Sequence, residues 1–160
     1  MNESTLPKEE GRIRLVVLEF SIKIETLLSS MLRCFLDINE PSKSFGNSNT
    51  SLSFNQKANL LLDTKYLDPE DAKKFLTFME IRNQFIHNED AKNFTLCLSF
   101  IKGKKAWLLK QYPLIQDENE ETRIEECWHC LVEDVIKSIS KMLGIYTENQ
   151  KLIIDLRRLK

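Results

Sequence analysis

Arg82, Asn83 and His87 fall within six residues, Arg82-Asn83-Gln84-Phe85-Ile86-His87, and their side chains offer chemistry that needs no metal. An imidazole titrates near neutral pH and so suits proton transfer. A guanidinium stays charged and presents a rigid fork of donors that matches phosphate oxygens. Asn83 stands one helical turn before His87, where a carboxamide can orient an imidazole. RNA carries its own nucleophile, the 2′-hydroxyl. A site that cuts it needs only a proton-transfer group, a donor for the charge that builds on the phosphorane, and a held geometry.

The element that must position these groups begins at Asp68. Asp68 is a helix-capping residue, Pro69 suits the first helical position, and Glu70 and Asp71 follow where the positive end of the helix dipole favours carboxylates. Helical spacing puts Ala72, Phe75, Leu76, Met79 and Ile86 on one stripe, interrupted by Arg82 and Asn83. Phe78, Ile81 and Phe85 form a second row to one side, which predicts a helix covered by its own core on one face and by a second copy of the chain on the other. A guanidinium on a core-facing stripe must be satisfied or used, because burying it without partners costs several kcal/mol. Arg82 and His87 are five residues apart and point about 140° away from each other on an ideal helix. Either the helix ends at His87 and the ring swings back, or two copies of the helix pool these residues. The plainer alternative has Arg82 reaching an acidic neighbour such as Glu19 or Glu25, with His87 at the negative end of the dipole and Asn88 as a left-handed cap.

Elsewhere the chain reads as helix after helix. Ile13, Val16, Val17, Phe20, Ile24, Leu27, Leu28, Met31 and Phe35 keep helical spacing and predict one long amphipathic helix over 12–37, after a flexible stretch 1–11. Residues 38–52 are rich in Ser and Asn and predict a mobile loop. Ser53 with Gln56 resembles a capping box and opens a short helix ending near Tyr66. Phe94 to Ile101 alternates as a strand would but also fits a helix between Asn93 and Gly103, and helix is the reading adopted. Lys102, Lys104, Lys105 and Lys110 follow, either as a solvent-facing charge run or as a phosphate-binding rim for RNA. After an acidic linker, Ile124, Cys127, Trp128, Leu131, Val135, Ile139 and Met142 predict a last major helix that Gly144 ends. Thr147 and Gln150 then suggest one more capped amphipathic helix over 147–160, docked on the domain or held by a partner.

With 160 residues the chain suits a single domain, and only four Gly and four Pro favour long uninterrupted helices. A net charge of -1 supplies no global pull toward nucleic acid, so RNA contact requires a local patch or an assembly's field. The beginning, MNESTLPKEEGR, lacks the apolar core of a secretion signal, and no apolar run nears the roughly 18 residues that span a bilayer. The expectation is a cytoplasmic protein with Cys34, Cys97, Cys127 and Cys130 reduced. Cys127-Trp128-His129-Cys130 is half a zinc site, but no second ligand pair has matching spacing and Cys127 fits a core stripe, so no metal or other cofactor is expected. No phosphate-binding glycine loop, HExxH or Gly-x-Ser-x-Gly motif occurs. No basic recognition helix favours a DNA-binding repressor.

The hexapeptide RNQFIH resembles the R-polar-x-x-x-H signature of the HEPN superfamily, small α-helical domains that commonly dimerise about this helix, and its RNxFxH spelling is similar to the mannitol-operon repressor-like branch. The resemblance extends loosely over residues 12–143. It implies an all-α, up-and-down bundle of four to six helices and a homodimer. It also implies a metal-independent ribonuclease cleft lined by Arg82, Asn83 and His87 from two protomers, often in toxins with a cognate antitoxin or in defence effectors. Other members are catalytically silent regulatory or interaction modules.

Overall fold

The structure is a computed structural model that describes residues 6–38, 42–46, 48–113, 115–116 and 118–158, with side chains described from 11 to 148 among these. Six helices and no strand make up the secondary structure of the described residues, an all-α protein. In chain order they are α1 (Leu6–Phe35), α2 (Phe54–Asp63), α3 (Pro69–His87), α4 (Phe94–Ser99), α5 (Lys104–Gln111) and α6 (Glu120–Arg158). They fall into two compact units, Met1–Lys23 with Lys73–Val135 and Ile24–Ala72 with Ile136–Lys160. No helix among the described residues is long and apolar enough to cross a membrane.

The first unit holds the RNQFIH segment, and its core is aromatic. Trp128 of α6 is fully buried, with the rings of Phe94 and Phe20 at 5.2 and 5.6 Å, and Phe85 of α3 joins through Phe94 at 5.0 Å. Tilted and edge-on rings at this spacing gain about 0.5–1.5 kcal/mol per pair beyond the area they bury. The cost is that Trp128 Nε1 is buried without a hydrogen-bond acceptor. The short helix α4 is fixed to this core at its amino end. Asn93 caps it by accepting from Leu96 N at 2.8 Å, and Glu121 of α6 accepts from Phe94 N at 2.6 Å and Thr95 N at 2.8 Å. A carboxylate thereby meets the otherwise unsatisfied amides and the positive dipole end. The stretch 94–101 is thus helical, and Gly103 at φ 77° turns the chain into α5.

In the second unit the buried apolar side chains include Ile24, Leu28, Met31 and Leu32 of α1 and Phe54, Ala58 and Leu61 of α2. The capping box at α2 is present: Ser53 Oγ accepts from Gln56 N while Gln56 Oε1 accepts from Ser53 N. Lys57, on the same helix, is buried and its Nζ lies 2.7 Å from Glu25 Oε1. The described part of the 38–52 segment is knitted together by Leu52 N to Ser44 O at 2.8 Å and Ser51 Oγ to Lys43 O at 2.9 Å, with Phe45 buried.

Two boundaries differ from the sequence reading. Helix α1 starts at Leu6, six residues before the predicted start and inside the stretch expected to be flexible. Helix α6 runs through Gly144 to Arg158 without a break. Thr147 does not cap a new helix; its Oγ1 donates back to the carbonyls of Leu143 and Gly144 at 3.1 and 2.8 Å, the bond a hydroxyl makes inside a helix. Of the apolar residues expected on a separate C-terminal helix, the side chains of Leu152, Ile153 and Leu156 are outside those described, and Leu159 lies outside the described residues.

Candidate functional site

Helix α3 begins as its residues dictate: Asp68 Oδ1 accepts from Glu70 N and Asp71 N at 2.9 and 3.0 Å, and Pro69 occupies the first helical position. Its core face, however, is rotated from the predicted stripe. Phe78, Ile81 and Phe85 are 0%, 0% and 1% exposed, so the row assigned to a second copy is covered by the chain itself. Leu76 and Ile86, assigned to the core, are 44% and 37% exposed. The sequence offers two adjacent apolar rows, and nothing in the spacing says which one the larger aromatic core will claim.

With that rotation, Arg82 projects from the middle of the buried arc, within about 60° of Phe75, Phe78 and Phe85 around the helix. Leu76, Glu80, Asn83 and His87, at i, i+4, i+7 and i+11, share the opposite side. Arg82 Nε is shielded from solvent while Nη1 donates to Asn83 Oδ1 at 2.8 Å, which bends the fork toward the open face. Glu25, one of the two acids proposed for it, is ion-paired with Lys57, and Glu19 is exposed. Asn83 spends its carbonyl on Arg82 and not on the imidazole it was expected to orient. His87 is the last residue of α3 and is exposed.

What fixes the end of α3 is a residue that the sequence reading passed over. The Arg14 guanidinium, on α1, donates to the carbonyl of Phe85 and to those of Asn88, Glu89 and Ala91, the last three at 3.0, 3.1 and 3.4 Å. These are carbonyls at and just beyond a helix terminus, where intrahelical donors run out and the dipole favours a cation. Asn88 is not a left-handed cap; the non-glycine residues with positive φ among those described are Asp37 and Lys65. The signal for Arg14 in the sequence is slight: a cation next to Ile13, on the border of the α1 stripe.

The lysine cluster is only partly open. Lys104 Nζ lies 2.8 Å from Glu80 Oε2 and donates to Thr77 Oγ1 at 3.1 Å, and Lys105 Nζ lies 2.8 Å from Glu120 Oε2. Lys102 and Lys110 are exposed. Two of the four expected phosphate contacts are therefore engaged with carboxylates. Beyond the 88–93 turn, a cavity of about 620 Å³ is lined by Arg12, Lys92, Asn93, Glu125, Glu126 and His129 among others. Arg12 and Glu125 face each other across two bonds of 3.1 and 3.2 Å, and the His129 ring is edge-on to Phe20 and Trp128 at 5.6 and 5.0 Å.

Among the described residues no group of three or more His, Cys, Asp or Glu is placed to hold a metal ion, and Cys127 is buried in the α6 core stripe. None of the four cysteines is in a disulfide. The fold and the α3 terminus define an all-helical protein with an exposed imidazole at the end of α3 and a partly shielded arginine on the other side of the same helix. Compared with protein families, characterised proteins and solved structures, the chain matches none.

Proposed function

We propose that the protein is a metal-independent endoribonuclease of HEPN type, with His87 transferring protons and Arg82 neutralising charge on the phosphorane. The observation that carries this reading is that one helix, α3, bears both an exposed imidazole at its last residue and, five residues earlier, a guanidinium whose Nη1 donates to Asn83 Oδ1 at 2.8 Å. In the proposed step the RNA 2′-oxygen attacks the adjacent phosphorus and gives up its proton. The 5′-oxygen leaves and takes a proton, and a 2′,3′-cyclic phosphate results; no redox partner or metal enters the balance. One copy of α3 sends Arg82 and His87 to different sides, so the proposed cleft draws on two chains. The side of α3 available to a second copy is the one bearing Leu76, Glu80, Asn83 and His87.

The test is cleavage of mixed single-stranded RNAs by the full chain in excess EDTA. Wild type is expected to cut and to leave cyclic phosphate ends, a 2′-deoxy nucleotide at the cut position to block the reaction, and His87→Ala and Arg82→Ala each to lose at least about 100-fold. A wild-type protein that leaves every RNA intact, with or without EDTA, overturns the reading.

The ion pairs of Lys104 with Glu80 and Lys105 with Glu120 favour a second reading, a silent regulatory or interaction module in which Arg82 is structural. On that reading Arg82→Ala lowers the melting temperature or dissociates an assembly. An Arg82→Ala protein as stable and as associated as wild type counts against it.

A further inference from the structure

We infer that Arg14 is the positioning residue for His87, an inference that rests on the RNA-cleavage reading and adds a residue from another helix to it. Phe85 and Asn88 bracket His87 in the chain, and the carbonyls of both accept from the Arg14 guanidinium. Glu89 and Ala91, in the turn that follows, bind the same group. The backbone is thus held on both sides of His87 by one side chain, while the imidazole itself stands exposed. An exposed ring has little packing to fix it, so its position follows from where its backbone is anchored.

Only arginine can make this clamp. Its planar fork carries five N–H donors in a fixed geometry and serves four carbonyls here, whereas a lysine ammonium is a point charge with three donors on a flexible stem. The carboxyl end of a helix gains from either cation, so Arg14→Lys retains the dipole interaction and removes the geometric constraint. Displacement of a reacting group by about 1 Å is enough to cost on the order of 100-fold in rate.

The experiment compares wild type, Arg14→Lys and Arg14→Gln in the full chain by RNA cleavage, by thermal melting and by the ring proton resonances of His87. The chain has two histidines, so a His129→Asn variant assigns them. Arg14→Lys is expected to lower kcat by about 10- to 100-fold with KM within twofold, and to shift the His87 ring signals while those of His129 stay in place. Arg14→Gln, which keeps two donors and loses the charge, is expected to shift them further. Unmoved His87 signals in both folded variants, or unchanged kcat with a lowered melting temperature, overturn the inference and leave Arg14 a purely structural cap. If wild type cleaves no RNA, the function fails on its own, and the resonances still decide whether Arg14 sets the ring.

Discussion

Arg82 Nη1 and Asn83 Oδ1 lie 2.8 Å apart, a bond between sequence neighbours that carries a guanidinium from the buried side of α3 toward its open side. Asn83→Ala removes that acceptor from a part-buried cation. A bond of this kind contributes about 1 kcal/mol net, so the urea midpoint is expected to fall by the corresponding amount. Asn83→Asp supplies a charged acceptor in the same place and is expected to recover at least half of the loss. Equal destabilisation by both variants would show that the carboxamide N–H groups, and not the carbonyl, matter at this position.

The start of α3 was legible because it depends on local chemistry: an Asp cap, a Pro, and acidic residues in the first turn. The capping residues Ser53 and Asn93 were legible for the same reason. Which side of α3 faces inward was not. That choice depends on Trp128, more than 40 positions away, and on Phe94, which together draw Phe85 into their cluster while Phe78 and Ile81 are buried on the same helix. Arg82 and His87 could be singled out from residue type and spacing. Arg14 could not, because its importance lies in meeting carbonyls more than 70 positions away. Backbone acceptors leave no trace in a sequence.

Lys57 and Glu25 form an ion pair with side-chain exposures of 2% and 32%. Removing the carboxylate strands a buried ammonium, and Glu25→Ala is expected to destabilise the protein by about 3 kcal/mol, the range for breaking a buried pair. Lys57→Met in the Glu25→Ala background fills the same volume without charge and is expected to restore most of that stability. Chemical denaturation of the two variants checks both. A Glu25→Ala protein as stable as wild type would place the lysine head in solvent.

Cys97 is fully buried beside the backbone of α3, its Sγ 3.7 Å from Ile81 O, and burial pushes its thiol from 9.0 up to about 12, with Glu121 adding to the rise and Arg14 opposing it. Below about pH 9 the thiol is protonated folded and unfolded alike, so it contributes no slope. Between about 9 and 12 the unfolded chain has lost that proton and the folded chain has kept it, and stability falls as pH rises, by about 1.4 kcal/mol per unit. Denaturation midpoints of wild type and Cys97→Ala measured from pH 8 to 10.5 are expected to diverge in slope above 9. Parallel curves would mean that the thiol ionises in the folded protein as readily as in the unfolded one.

Gly144 lies inside α6, where a left-handed stop was expected from its residue type, and the helix passes through it. A helix-interior glycine gives up more backbone freedom on folding than alanine, at a cost of about 1 kcal/mol. A Cβ built at Gly144 meets nothing within 4 Å, so alanine adds no clash there. Gly144→Ala is therefore expected to raise stability by about 0.5–1 kcal/mol and to leave the helical circular dichroism of the folded protein unchanged. Gly103 is the internal control. It too has open space around its Cβ position, but its φ of 77° is one that L residues adopt only with strain, so Gly103→Ala is expected to destabilise. Opposite signs at two glycines with equally open surroundings isolate backbone conformation as the cause. A destabilised Gly144→Ala protein would mean that the helix does break at this residue and that Leu143 and Thr147 belong to separate elements.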